Sequence, residues 1–382
     1  MTDTDTSPAP EADTAPRPDT APRPDVGSRP DTAPEADAAP DPALAGELAA
    51  GLQAGVRGLG GIDAVRDGLD DLAPIRRAHR EMMDSMGLGG VLSEEEHGGL
   101  GAGMAAIAAL GRAAGAVPAA DLLGPYVSAP VAFGMLAVGH PDPEIRTLAA
   151  DTLAQMAEGT TCVGTATGGL LFDAELCDQV LVHQDDLIHL VPRTALELTA
   201  LPALDPTRTL HRIEETSVPG AGTIVADGDM AAEIVGASIV AGRVYLAAEL
   251  EGIARAVLAE TVTFLGERIA FGRPLGSFQA LKHRLAEMWS EVSLIGPLVD
   301  EAALLLDTGD DPTEATIYAA AALSFAADTA TRVCEQALQL HGGIGYTWES
   351  PVHIWLKRAA ADRVRLGTPH TLRAELAALT DI

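Results

Sequence analysis

Residues 266–288 read GERIAFGRPLGSFQALKHRLAEM, and the pattern opening here decides the fold. Carried on to 296 as WSEVSLIG, it sets Phe278, Leu281, Leu285, Met288, Val292 and Ile295 at alternating steps of three and four. That spacing draws one apolar stripe down a helix, suited to the core of a bundle. Phe271-Gly272-Arg273-Pro274 breaks the helical pattern just before it. A long helix is predicted ahead of the break, from about 232 to 270. Another follows the stripe, TEATIYAAAALSFAADTATRVCEQALQLH, and is ended by Gly342-Gly343.

Outward from this bundle the character changes twice. Residues 161–228 carry short Val, Ile, Leu and Thr runs bounded by Gly, Pro and Asp, and VLVHQDDLIHLV reads as a hairpin around Gln184-Asp185-Asp186. Residues 43–160 are helical again, in pieces such as PALAGELAAGLQAGV, GIDAVRDGLDDLAPIRRAHREMMDSMG and GMAAIAALGRAAGAV. Asp142-Pro143-Glu144 marks another helix start. The order predicts an α+β chain: an N-terminal helical domain (43–160), a small antiparallel β-domain (161–228) and a C-terminal helical bundle (229–382). Residues 1–42 are a different material. The repeat DTAPRPDTAPRPD lies in a stretch of Ala, Pro, Asp, Thr, Glu and Arg that buries too little apolar area to offset ordering entropy, so a disordered acidic tail is expected.

Composition narrows the function. Of 382 residues, 47% are apolar but only 3% aromatic, which suits close-packed Ala-rich helices. A formal charge of −30 argues against nucleic acid, whose phosphates require a basic face. Cys162, Cys177 and Cys334 are widely spaced and form no CxxC pair; they read as reduced thiols of a cytoplasmic protein, with no metal site. The N-terminus carries no signal-peptide pattern. The most apolar region, AAGAVPAADLLGPYVSAPVAFGMLAVG, is broken by prolines and Asp121, so buried helices are expected there and no membrane span.

Two segments carry more than fold. GERIAFGRPLGSFQALKHRLAEM (266–288) and QALQLHGGIGYTWESPVHIWLKRAAADRVRLGT (336–368), in this order of elements, closely resemble the acyl-CoA dehydrogenase family. The resemblance spans roughly 43–375 and takes in EEHGGLGAG, similar to the family's N-terminal Gly-rich loop. It implies FAD, an acyl-CoA or carrier-bound acyl thioester as substrate, a flavoprotein electron acceptor, and a dimer or tetramer of like or unlike chains. A guanidinium at Arg268 suits a diphosphate, and Phe271 suits the face of a flat ring. By resemblance Arg268, Phe271 and Gln279 hold the adenine diphosphate part of FAD across a subunit interface, and Gln339, Gly342 and Gly343 contact the diphosphate of the neighbour. Thr368 matches a Thr that bonds flavin phosphate, and His370 stands where a glutamine is usual.

The reaction so implied is removal of an α proton by a carboxylate with hydride transfer from the β carbon. The family's commonest Tyr-Glu-Gly-Thr run is Arg365-Leu366-Gly367-Thr368 here, so leucine occupies the base position. In other members the base precedes an arginine that matches Arg243, and that site is Gly242. Glu249, two helical turns beyond Gly242 in an apolar run, is the candidate base left in this chain. It is equally placed to pair with Arg243 or Arg255, and Glu251 to be solvated. The Thr-Glu-Pro-Gly-Ala-Gly-Ser-like loop of the family is GTATGGLLFD, which keeps Thr165 and Thr167 as donors to a flavin ring. This shortened form resembles the subfamily built from pairs of unlike subunits. The resemblance therefore leaves three functions open: α,β-dehydrogenation by this chain, a non-catalytic FAD-supporting subunit, or other flavin chemistry such as hydroxylation or reduction.

Overall fold

The computed structural model describes residues 42–119 and 121–380. The expected disordered tail, apart from Pro42, lies outside the described residues. The chain opens with α1 (Pro42–Gly58), α2 (Gly61–Asp67), α3 (Ala73–Ser85), α4 (Gly103–Ala116), α5 (Ala129–Gly139) and α6 (Pro143–Ala157). The helical stretch expected over 61–87 is two helices, because Gly68 closes α2 and Pro74 starts the first turn of α3. Asp142 caps α6 as its sequence predicts, accepting from the Glu144 amide at 2.8 Å. The apolar region after α4 folds into a π-turn at Gly124–Ser128 and α5, both largely buried.

Seven short strands follow: β1 (Val163–Ala166), β2 (Leu170–Phe172), β3 (Gln179–Gln184), β4 (Leu187–Pro192), β5 (Leu198–Leu201), β6 (Leu210–Ile213) and β7 (Thr223–Asp227). The predicted hairpin is β3–β4, closed by Asp185-Asp186, with Asp185 left-handed at φ 53° as such a turn requires. One sheet runs β1-β3-β4-β7 and a second β2-β6-β5. Every pair is antiparallel except β1–β3, which is parallel.

The bundle is built on α7 (Gly228–Glu267), followed by the small hairpin β8 (Ile269–Ala270) and β9 (Arg273–Pro274). Then come α8 (Gln279–Ser293), α9 (Ile295–Thr308), α10 (Pro312–His341), α11 (Val352–Asp362) and α12 (Pro369–Leu379). The single helix expected after the hairpin is thus α8 and α9, broken at Leu294. Met288, Val292 and Ile295 of its apolar stripe are fully buried, whereas Phe278, Leu281 and Leu285 stay half-buried.

By length and composition α7 could cross a membrane. Its middle, Ala241–Ala254, is wholly buried and packs against α4, α9 and α10, which makes it the core helix of the bundle. Glycine lets α4 approach it. A Cβ on Gly115 would stand 2.1 Å from the Glu249 carbonyl, and one on Gly252 would stand 2.2 Å from that of Arg112. Any larger residue at either place would force the helices apart, so the small-residue composition has a packing cause. Glu251, expected in solvent, is 1% exposed and bridges Arg112 and Arg255 at 2.7 Å each.

Candidate active cleft and cofactor-facing residues

A cleft of about 230 Å³ opens between α5, the sheet and α7. Ser128 and Ala132 form one wall, Thr165 and Thr167 at the end of β1 another, and Ile234, Val235, Ser238 and Ile239 on one face of α7 a third. Those α7 positions recur at the helical repeat, so a single face of the helix serves the cleft. The hydroxyls of Thr165 and Thr167 make no hydrogen bond among the described residues, so both are free to donate. His183, exposed on β3, is the titratable side chain of the lining.

Leu366 lines this cleft. A Cβ built on Gly242 would lie 2.6 Å from Leu366 Cδ1 and 3.0 Å from Leu123 Cδ1. The two alternative base positions, distant in sequence, therefore meet at one point. Neither carries an acid, and leucine fills the space. Arg243 holds the Leu366 loop in place: its Nε donates to the Leu366 carbonyl at 3.2 Å while both Nη atoms bind Glu375 at 2.7 and 2.8 Å. Thr368 caps α12, its Oγ1 accepting from the Thr371 amide at 3.1 Å. His370 is exposed beside it.

Glu249 is not in the cleft. It is 0% exposed, and its Oε1 accepts from Arg208 and from Arg358, each at 2.8 Å. Neither Arg243 nor Arg255, the partners weighed from sequence, contacts it. Arg208 also pairs with Asp362, Arg358 with Asp205, and Arg365 clamps Asp121 at 2.6 and 2.9 Å. Four carboxylates and three guanidiniums thus share one buried cluster that ties the β-domain to α7 and α11. Burial raises Asp362 to about 6, with Arg208 opposing and Glu249 adding to the rise. Burial acts on Asp121 in the same direction, but Arg365 and Arg208 overcome it and hold that carboxyl well below the ordinary range. The cluster escaped sequence reading. LDPTR at 204–208 has the look of a surface turn, and nothing local marks Arg208 or Arg358 as buried.

Thr368 apart, the residues matched to the diphosphate part of FAD lie around the C-terminal end of α7. Phe264 on the last turn of α7 stacks on His341 at the end of α10, ring centroids 4.3 Å apart, which brings Arg268 and Gly342 to that same end. Arg268 is exposed and has no side-chain partner among the described residues. Gln279 and Gly343 are exposed too, and Gln339 donates to the Tyr346 hydroxyl at 2.7 Å. Gly342 has φ 62°, a conformation that favours glycine and turns the chain after α10. Phe271 is the unusual residue. It occupies the tip of the β8–β9 hairpin at φ 53°, is 91% exposed, and only edges the Phe278 ring at 6.2 Å. A bulky residue held left-handed costs roughly 1 kcal/mol, and a solvent-exposed phenyl offers the isolated chain nothing in return.

The family model described as acyl-CoA dehydrogenase, C-terminal domain, matches residues 232–379. The chain is 30% identical over 309 residues to acyl-CoA dehydrogenase IpdE2 of Mycobacterium tuberculosis, covering 78% of this chain and 84% of that protein. The protein of the same name from Mycolicibacterium smegmatis is 29% identical over 296 residues, 76% of this chain and 83% of the relative. Among solved structures, the ChsE4-ChsE5 complex from M. tuberculosis superposes with a TM-score of 0.73 at 22% identity, over 92% of this chain and 98% of the other. Butyryl-CoA dehydrogenase from Megasphaera elsdenii gives 0.61 at 20% identity, over 87% and 98%. The chain belongs to the acyl-CoA dehydrogenase family.

Proposed function

We propose that this chain is the FAD-supporting, base-less subunit of a heteromeric acyl-CoA dehydrogenase, an oxidoreductase acting on CH–CH bonds. The carrying observation is the contact of Leu366 with the open side of Gly242. Proton abstraction from an acyl thioester needs an acceptor within hydrogen-bond reach, and both places from which relatives supply it converge on a leucine methyl group. Self-sufficient dehydrogenation with Glu249 as base has the geometry against it: the carboxylate is enclosed by two arginines and no ligand in the cleft reaches it.

What the chain offers instead is at the far end of the bundle. FAD, when bound, supplies hydride acceptance; the unpaired Arg268 guanidinium and the exposed Phe271 ring fit its diphosphate and a flat ring system. Gly242, inside α7, and Arg268, the residue that follows its last turn, are 26 residues apart, about 39 Å at 1.5 Å per residue. That is longer than a dinucleotide, so the cofactor reached by Arg268 and Phe271 does not have its reactive ring in this chain's own cleft. It belongs to a neighbouring subunit. The strained, exposed Phe271 is accounted for by such a contact.

The test is reconstitution. Purified alone and with a complementary family member carrying the acid, the protein is assayed for bound FAD and for bleaching of the flavin band by acyl-CoA thioesters under anaerobic conditions. Bleaching is expected only in the pair, with flavin uptake in the pair reduced by Arg268→Ala. Rapid bleaching by the chain alone, or a pair that forms and takes up no FAD, overturns the proposal.

A further inference from the structure

We infer that Cys162 and Cys177 form a redox-responsive thiol pair, which a peroxide closes into a disulfide that fastens the cleft-facing segment between them. Both thiols are free in this structure, and neither takes part in the subunit role proposed above, so the inference stands apart from it.

The two cysteines are 15 positions apart in sequence and meet through the parallel pairing of β1 with β3, which sets Val163 opposite Gln179. Just ahead of that pair the Cys162 carbonyl accepts from the amides of Asp178 and Gln179 at 2.9 and 3.1 Å, and the Cys162 amide donates to the Asp178 carboxylate at 2.8 Å. These bonds hold Cys162 beside the residue that follows Cys177. Side chains alternate along extended chain, so Cys162 and position 164 project to the same side. That is the side Cys177 covers: a Cβ on Gly164 would lie 2.6 Å from Cys177 Sγ, and the bare glycine leaves the thiol its room. The side-chain hydrogen bond with Cys162, and then burial, raise the Cys177 thiol well above its ordinary range, while the Arg80 guanidinium opposes that rise. Cys334 is fully buried in α10, outside this pair.

Closure encloses residues 163–176, which include Thr165 and Thr167 of the cleft wall and the whole of β2. The Cys177 side is already anchored. Arg80 donates to the neighbouring Leu176 carbonyl at 2.8 Å, and Asp173 accepts from the amides of Asp121 and Thr209 at 2.7 and 2.8 Å. A bond from Cys162 to this anchored turn therefore restrains the segment that carries the two threonines. Cys177 is half-buried and Cys162 is 2% exposed, so a small oxidant reaches the pair from the Cys177 side. One hydrogen peroxide balances the reaction. One sulfur takes a peroxide oxygen and becomes a sulfenic acid as the first water leaves; the other displaces that oxygen, the S–S bond forms and a second water leaves. Two electrons pass from the sulfur pair to the peroxide, and both thiol protons end in water. A dithiol reductant reverses the bond by exchange.

The experiment treats the full chain with hydrogen peroxide, then unfolds it, alkylates it with N-ethylmaleimide and maps the products by mass. One alkylated thiol, Cys334, is expected in place of three, together with a peptide linking Cys162 to Cys177, and all three thiols return after dithiothreitol. In parallel, amide hydrogen exchange over 163–176 is expected to slow on oxidation, to recover on reduction, and to ignore peroxide in Cys177→Ser. Should that variant not fold, Cys162→Ala makes the same comparison. The inference is overturned if three thiols remain after peroxide, if Cys177 passes to a sulfinic acid with no bridge, or if the bridge joins two chains or takes in Cys334. It is overturned equally if the Cys162–Cys177 bridge forms and leaves exchange over 163–176 unchanged, or if peroxide slows that exchange to the same extent in Cys177→Ser. None of these results bears on the subunit role, which stands or falls on flavin uptake and bleaching in the pair.

Discussion

Replacing Glu249 by Gln separates a catalytic from an architectural role for this carboxylate. The side chain is fully buried and its Oε1 binds two guanidiniums at 2.8 Å. Removing one charge from a buried, hydrogen-bonded network typically costs about 3–5 kcal/mol, since the partners stay behind unpaired. An offset exists here. The cluster holds Asp121, Asp205, Glu249 and Asp362 against Arg208, Arg358 and Arg365, so losing Glu249 leaves three charges of each sign. It also relieves Asp362, whose raised pKa owes part of its rise to Glu249. A net loss of about 2–4 kcal/mol follows, and at roughly 2 °C per kcal/mol the melting midpoint drops by about 4–8 °C. Activity behaves differently. Below the transition, the bleaching rate per bound flavin in the active assembly is expected to be unchanged, whereas loss of a general base lowers it ~10²–10⁴-fold. A Glu249→Gln protein that melts within a degree of the parent and fails to bleach would refute the architectural reading.

Leu366→Glu places a carboxylate on the cleft beside the Arg243 guanidinium, and in the flavin-loaded assembly it should gain bleaching activity of at least about 10²-fold over Leu366→Gln; equal rates for the two variants would show that the cleft lacks more than a base. Gly242→Glu alone is expected to destabilise, since its Cβ meets Leu366 at 2.6 Å, and Leu366→Ala in the same chain should recover the midpoint. Phe271→Gly relieves a left-handed phenylalanine and is expected to raise the midpoint of the isolated chain slightly while weakening FAD retention in the assembly, read by flavin release on dilution. Stability should also depend on pH in a particular sense. Asp173 and Asp362 have folded pKa values of about 6, above the unfolded value near 3.8, so the native state binds more protons between those limits and stability falls as pH rises through that window. Asp121, depressed in the fold, acts oppositely and loses its contribution as pH falls below about 4. Melting midpoints should therefore rise from pH 7 toward 5 and drop again below 4, and Asp362→Asn should flatten the rise.

The elements legible in the sequence are those whose cause is local. The β3–β4 turn at Asp185-Asp186, the Asp142 cap and the stop at Gly342 each depend on residues within a few positions of one another, and each is found where expected. The break between α8 and α9 was hidden because Phe278 to Ile295 keeps its apolar period straight across Leu294. Glu249 shows the deeper limit. An acid in the apolar run VYLAAELEGIARAVL announces a buried carboxylate, and burial is what the structure has. Whether such a carboxylate is a base or a strut depends on its partners, and these are Arg208 and Arg358, 41 and 109 residues away. No spacing rule links them.

The same non-locality decides the functional argument. Gly242 and Leu366 each look like a lost base when read alone, and two separate losses would invite a search for a third acid. In space they are one site. A glutamate on either residue would place its carboxylate in the same pocket, and the side chain on one occupies the room required by the other, as the 2.6 Å approach of Leu366 to the Gly242 Cβ position shows. One point in the cleft therefore holds either a carboxylate, supplied by one strand of sequence or the other, or an apolar plug. With the plug in place, this point of the cleft offers no proton acceptor. Arg268, suited to a diphosphate, is meanwhile exposed at the far end of α7, about 39 Å from Gly242, and Phe271 stands exposed on the hairpin just beyond it. Under the subunit role proposed above, a leucine at the base position and an exposed phenylalanine held left-handed are two parts of one arrangement, in which this chain would support chemistry in a partner.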